Sequence, residues 1–90
     1  RGRVAEIVGQ KLRSLGEHRQ VLCITHLPQV AAQGHHHLKV TRSSGDETEV
    51  ELSKLDEASR SEELARMLGG VEITAKTRAH AQELLFRAGV

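Results

Sequence analysis

Val21-Leu22-Cys23-Ile24-Thr25-His26-Leu27-Pro28 carries the reading of the fold. Its first four residues are a continuous apolar run, too short for a buried helix and suited to a strand covered on both faces, as in a parallel sheet flanked by helices. Pro28 has a φ that suits the first turn of a helix, where no amide hydrogen is needed. Thr25-His26-Leu27 is therefore expected to form the corner between a buried strand and a short helix through about Gln33, with Gly34 able to end it. Open α/β sheets bind ligands at the carboxyl ends of their strands, so an imidazole at position 26 is placed to donate to a phosphate oxygen or to orient a water. Position alone leaves a plainer reading open, a histidine that caps or packs the corner.

Upstream, Val4, Ile7, Val8, Leu12 and Leu15 recur at helical spacing, and Gly16 follows where a helix end favours a positive φ. Gly9 inside this helix costs about 1 kcal/mol relative to Ala and is expected to mark close packing against a neighbouring backbone. Downstream, the period changes to alternation, with His36, Leu38 and Val40 on one face and His37, Lys39 and Thr41 on the other. Ser43-Ser44-Gly45-Asp46 supplies turn chemistry, and Thr48, Val50 and Leu52 then alternate with Glu47, Glu49 and Glu51. This predicts a hairpin with one acidic, solvated face near Lys39, Arg42 and Lys54.

Ser59 with Glu62 has the spacing of a capping box ahead of the stripe Leu64, Met67 and Leu68, which stops at Gly69-Gly70. Thr74 is expected to cap a last helix, with Thr77, Ala81, Leu84, Leu85 and Ala88 on one side and Lys76, Arg78, Gln82 and Arg87 toward solvent. The order is helix, strand, helix, hairpin, helix, helix. Its single candidate parallel strand has nothing parallel to pair with, so the rest of the sheet is expected from another segment or chain.

Ninety residues allow one compact domain with a thin core, built here from aliphatic side chains because Phe86 is the only aromatic. A formal charge of +1 lacks the basic excess of an autonomous nucleic-acid-binding domain. Cys23, the sole cysteine, rules out an intramolecular disulfide, and its apolar neighbours predict a buried thiol in a reducing, cytosolic setting. No segment approaches the roughly 20 apolar residues of a membrane span, and Arg1-Gly2-Arg3 leads into an amphipathic pattern rather than a signal-peptide core.

The run Leu22-Cys23-Ile24-Thr25-His26-Leu27-Pro28-Gln29-Val30-Ala31-Ala32 resembles the switch-histidine segment of the ATP-binding-cassette fold as it occurs in the RecN family. The likeness continues through Glu62 and Glu63, Ala65-Arg66-Met67-Leu68-Gly69-Gly70, Thr74, Thr77, His80-Ala81 and Glu83-Leu84-Leu85, and so covers nearly the whole chain. It implies an α/β fold, the C-terminal lobe of a P-loop, SMC-like ATPase head: one buried strand plus a β-hairpin with flanking helices, an incomplete sheet on its own. Residues 1–90 would be a single lobe.

The same resemblance implies that His26 is catalytic, contacting the terminal phosphate of ATP sandwiched between two heads, with Thr25 and His26 the nucleotide-contacting residues and no metal ligand in this chain. It implies ATP and Mg2+ bound by the complete head, and as partners the N-terminal lobe of the same head, a second head, and DNA through the full-length protein. The process implied is double-strand-break repair and recombination in the bacterial cytoplasm, at the nucleoid and away from membranes. The sequence holds no Gly-x-x-x-x-Gly-Lys-Ser/Thr loop, no Walker B acidic pair and no cassette signature, so ATPase activity is expected of the assembled head and not of this chain alone. Arg1-Gly2-Arg3 falls where the family's D-loop meets the next helix, and Arg1 stands where a small residue is expected.

Other residues suggest other readings. His35, His36 and His37 are imidazoles of the kind that bind zinc, but consecutive strand residues point to opposite faces and do not converge readily. Arg66 is placed to complement a helix dipole or to reach a carboxylate in the rest of the head. The row Glu47, Glu49 and Glu51 reads as a solvated face. The alternative to an ATPase part is a stand-alone, non-catalytic protein-interaction module that binds through its exposed sheet edge.

Overall fold

A computed structural model of the chain describes residues 2–45 and 49–90. The elements, in chain order, are α1 (Gly2–Gly16), α2 (Pro28–Ala31), β1 (Leu38–Arg42), β2 (Val50–Lys54), α3 (Glu57–Gly69) and α4 (Ala75–Arg87). The described residues thus form a small α/β unit with helices around one two-stranded antiparallel sheet. Asp46 of the expected turn, and Glu47 and Thr48 of the expected second strand, lie outside the described residues.

The core is the seam between α3 and α4, where Leu64, Ala65, Ala81, Leu84 and Leu85 pack with Ala32 from the end of α2. Small side chains let the helices approach closely, and Leu64, at 0% exposure, is the one large side chain fully enclosed among the described residues. Thr74 caps α4 as its sequence predicts, its side chain accepting from the Thr77 amide. The cap of α3 differs from expectation. Asp56, not Ser59, is the N-cap, and its carboxylate accepts from the Ser59 amide at 2.8 Å. That contact holds the Asp56 carboxyl below its usual range. Glu62, freed from any capping box, binds Arg78 of α4 at 3.0 Å.

Gly70 ends α3 at φ 68°, and its amide donates to the Arg66 carbonyl. Gly16 does not take the expected positive φ. The chain instead continues α1 through turn-type bonds from Glu17 to Ser14 and from Arg19 to Leu15, which keep the backbone right-handed. Gly9 behaves as expected: a Cβ there would lie 2.7 Å from Gln33 Cγ and 3.2 Å from the Gln29 carbonyl oxygen. Ala5 and Gly9 are the buried residues of α1, while Val4, Ile7, Val8 and Leu15 remain exposed. The periodicity identified the helix, but its small residues make the contact with α2.

The hairpin pairs Leu38 with Lys54, Val40 with Leu52 and Arg42 with Val50 on one face, and Lys39 with Ser53 and Thr41 with Glu51 on the other. Glu49 and Glu51 are solvated as expected, but Lys39 and Ser53 on the same polar side are turned toward α3 and partly buried. The apolar side is open, with Val40 at 62% and Leu52 at 64% exposure. Lys39 accordingly pairs with Glu63 of α3 rather than with the hairpin's own glutamates.

The largest correction concerns the opening run. Val21–Ile24 forms no strand, Leu22 and Ile24 are 82% and 93% exposed, and the Cys23 thiol is exposed instead of buried. A strand needs a ladder partner, and none lies beside this run among the described residues. The expected buried strand is therefore absent, while the expectation that this segment lacks a partner within the chain agrees with its exposure.

Candidate functional site

His26 sits in a tight corner built by its neighbours. The Thr25 hydroxyl accepts from the Leu27 amide at 3.0 Å, closing a turn around residue 26. Leu27 is extended (φ −98°, ψ 118°), as the residue before a proline prefers, and Pro28 then starts α2 and is itself buried. The Leu27 carbonyl accepts from the amides of Val30 and Ala31. The backbone on both sides of His26 is thereby fixed, while the imidazole is exposed, with no hydrogen bond to its side chain among the described residues. An exposed imidazole on a locked turn can donate to, or accept from, a group that arrives from outside.

The far end of α2 is held by two arginines. Arg60 Nη2, from α3, lies 3.2 Å from the Ala31 carbonyl oxygen and 3.1 Å from that of Ala32, and also donates to the Gly34 carbonyl. Arg13 Nη1, from α1, donates to the Gln33 carbonyl at 2.7 Å. Arg60 is 5% exposed, and burial, with the nearby Arg13 charge, lowers its pKa. Sequence reading singled out neither arginine. The visible signal would have been a basic residue three positions into a helix of mixed polarity, which is too common to be specific.

A second polar group lies under the hairpin. Glu63 accepts from Arg66 Nε and Nη2 at 2.8 and 2.6 Å, and Lys39 Nζ is 3.3 Å away. The Arg66 hydrogen bonds, aided by Lys39 and opposed by burial, hold the Glu63 carboxyl below its usual range. Arg66 thus finds its carboxylate one turn back on its own helix, not outside the chain. His37 is half-buried beside this group. Burial first and the Arg60 charge second push its pKa down, with Glu63 opposing, and its Nδ1 has no partner.

The three adjacent histidines diverge. The His35 ring lies against Gly16, His36 is exposed, and His37 turns inward near Arg60 and Glu63. No group of three or more His, Cys, Asp or Glu side chains among the described residues has the geometry to hold a metal ion. No helix of the described residues is long and apolar enough to cross a membrane.

No family model matches the chain. Its sequence is 55% identical over 85 residues to the DNA repair protein RecN of Xylella fastidiosa, an alignment covering 93% of this chain and 15% of that protein. It is 53% identical to the RecN of Vibrio cholerae, over 97% of this chain and 16% of that protein. It is 42% identical to the RecN of Bacillus subtilis, over 97% of this chain and 15% of that protein. The chain therefore spans about 15% of the length of the curated relatives it matches. Agreement at this level along nearly all of its residues places the chain in the RecN family of DNA repair proteins, with a match consistent with their C-terminal part.

Proposed function

We propose that this chain is the C-terminal lobe of an SMC-like, cassette-type ATPase head that works in DNA double-strand-break repair and recombination, and that His26 is its switch histidine. The observation that carries the reading is the exposed His26 imidazole on a turn locked by Thr25 and Pro28, within a chain whose relatives are named DNA repair proteins. These residues fit one contact to a terminal phosphate and do not form a nucleotide pocket. The chemistry supplied from outside is that of ATP with Mg2+, held by the rest of the head.

The chain's own part is positioning. Phosphoryl transfer depends chiefly on placing groups and stabilising charge, so a fixed donor at His26 acts where negative charge accumulates. Thr25 keeps the corner closed, so the backbone that carries the imidazole need not be ordered when the nucleotide arrives. The exposed run Leu22–Ile24 supports the same assembly, because the N-terminal lobe would supply the missing ladder and cover those side chains. The second head completes the sandwich, and DNA is engaged by the full-length protein.

The alternative, a non-catalytic interaction module, draws support from the open apolar face of the hairpin. The test is ATP turnover by this chain mixed with the N-terminal lobe of the head, with and without His26→Ala, and by each piece alone. Turnover confined to the mixture and reduced by about 10²–10³ in His26→Ala is the expected result. A verified complex that is indifferent to His26→Ala removes the switch role. Failure to form any complex favours the module.

A further inference from the structure

Four consecutive carbonyl groups, those of Ala31, Ala32, Gln33 and Gly34, all accept hydrogen bonds from arginine side chains, and the two arginines belong to different helices. α2 contributes only residues 28–31 and cannot hold its shape by its own ladder, since a single helical turn is unfavourable in isolation. The carbonyls of Pro28, Val30 and Ala31 accept from the amides of Ala32, Gln33 and Gly34, whereas those of Ala32, Gln33 and Gly34, just past the turn, are met by the arginines. A carboxylate is the usual companion of a buried guanidinium, yet among the described residues none hydrogen-bonds Arg60, whose Nε is also without a partner. Burying one cation near another, Arg13, costs free energy that backbone dipoles must offset. A small lobe keeps this arrangement at one place, the end of the turn that presents His26.

We infer that Arg60, assisted by Arg13, is a positioning residue for His26: the guanidiniums clamp carbonyls 31–34 while Thr25 and Pro28 fix the other end, so the imidazole is presented from a segment anchored on both sides. The inference rests on the catalytic role proposed for His26. It also ties that histidine to α1 and α3, the helices that carry Arg13 and Arg60. Arg60 makes its three contacts through the single atom Nη2, so reach and weak hydration are what the site draws on, and a shorter, more strongly hydrated lysine ammonium matches them only in part.

The experiment uses the assembled ATPase head with Arg60→Met, Arg60→Lys and Arg13→Met, each made with native His26 and with His26→Ala. Three readouts are taken: kcat and KM for ATP, melting temperature, and amide hydrogen exchange across residues 25–34. With native His26, Arg60→Met should lower kcat about tenfold or more with KM for ATP nearly constant, as expected when a reacting group is misplaced by a fraction of an ångström. Arg60→Lys should recover only part of the loss, and Arg13→Met should have a smaller effect in the same direction. With His26→Ala in place, Arg60→Met should cause no additional loss of kcat, because residues acting through one another are not additive. Exchange at residues 30–34 should speed up while that at α4 stays the same.

Equal losses in both backgrounds, or unchanged exchange at residues 30–34, would overturn the inference. Should Arg60→Met fail to fold, Arg13→Met and Arg60→Lys decide by the same comparison. Turnover indifferent to His26→Ala would sink the switch role and any catalytic coupling with it, and the exchange result would report separately whether the clamp exists.

Discussion

Lys39 on β1 places its ammonium 3.3 Å from the Glu63 carboxylate on α3, and this pair marks the side of the hairpin that faces the helices. Glu63 also holds Arg66, so one nearly buried carboxylate joins two cations that are each more exposed. Its folded pKa lies below the ordinary value because the charged form is the one hydrogen-bonded.

Glu63→Gln should therefore destabilise the chain by about 1–2 kcal/mol at neutral pH, less than for a fully buried pair because both cations reach solvent. The sign follows from the lowered pKa. The stabilisation is fully present above the unfolded value near 4.5 and is lost as pH falls through the lower folded value. Urea melts of both chains at pH 7 and pH 3 check this, and a gap that does not narrow at the lower pH contradicts it.

The elements were legible in the sequence wherever local chemistry decides them. Pro28 set the start of α2, Thr74 the start of α4, and strict alternation the hairpin. Alternation cannot say which face turns inward, because that depends on what the neighbouring helix offers. α3 offers Glu63, Glu62 and Arg66, and so the polar face went in. The run Val21–Ile24 failed as a strand for a related reason: apolar composition gives a strand its preference, but a ladder requires a partner backbone. Of the candidate site, the corner at Thr25-His26-Leu27-Pro28 was legible because proline and hydroxyl chemistry decide it locally, and the role proposed for His26 comes from family likeness, whereas Arg13 and Arg60 act on backbone carbonyls, which carry no side-chain signature.

His37 should give the chain a pH dependence of its own. Its folded pKa is pushed below the ordinary 6.5, mainly by burial, so the unfolded chain binds the proton more readily. Stability then falls as pH drops below about 6.5, until the folded value is reached, with a slope of at most about 1.4 kcal/mol per pH unit. In His37→Gln this component disappears. Denaturant midpoints of both chains from pH 7.5 to pH 5 provide the check, and parallel curves would refute the assignment.

Leu64 carries more of the core than any other described residue, since it alone is large and fully enclosed. Leu64→Ala should cost about 2–5 kcal/mol, toward the upper end if the seam against Ala81, Leu84 and Leu85 does not collapse. Such a loss is a large part of the stability of so small a domain. Thermal unfolding monitored by circular dichroism should show a broad or absent transition, whereas truncation of the exposed Phe86 should leave it nearly unchanged.

Gly9→Ala sets two effects against each other. In an open helix the change stabilises by about 1 kcal/mol, because alanine loses less backbone entropy than glycine. Here the new methyl would lie 2.7 Å from Gln33 Cγ and 3.2 Å from the Gln29 carbonyl oxygen. The Gln33 side chain is buried and the Gln29 oxygen is backbone, so neither can move aside without shifting α2. Overpacking of this kind costs about 1–3 kcal/mol and outweighs the helical gain. The net outcome should be destabilisation, accompanied by faster amide exchange at residues 29–34, since α1 and α2 are pushed apart where Arg13 grips Gln33. A variant more stable than the parent, with exchange in that segment unchanged, would show that the α1–α2 contact is looser than these distances imply.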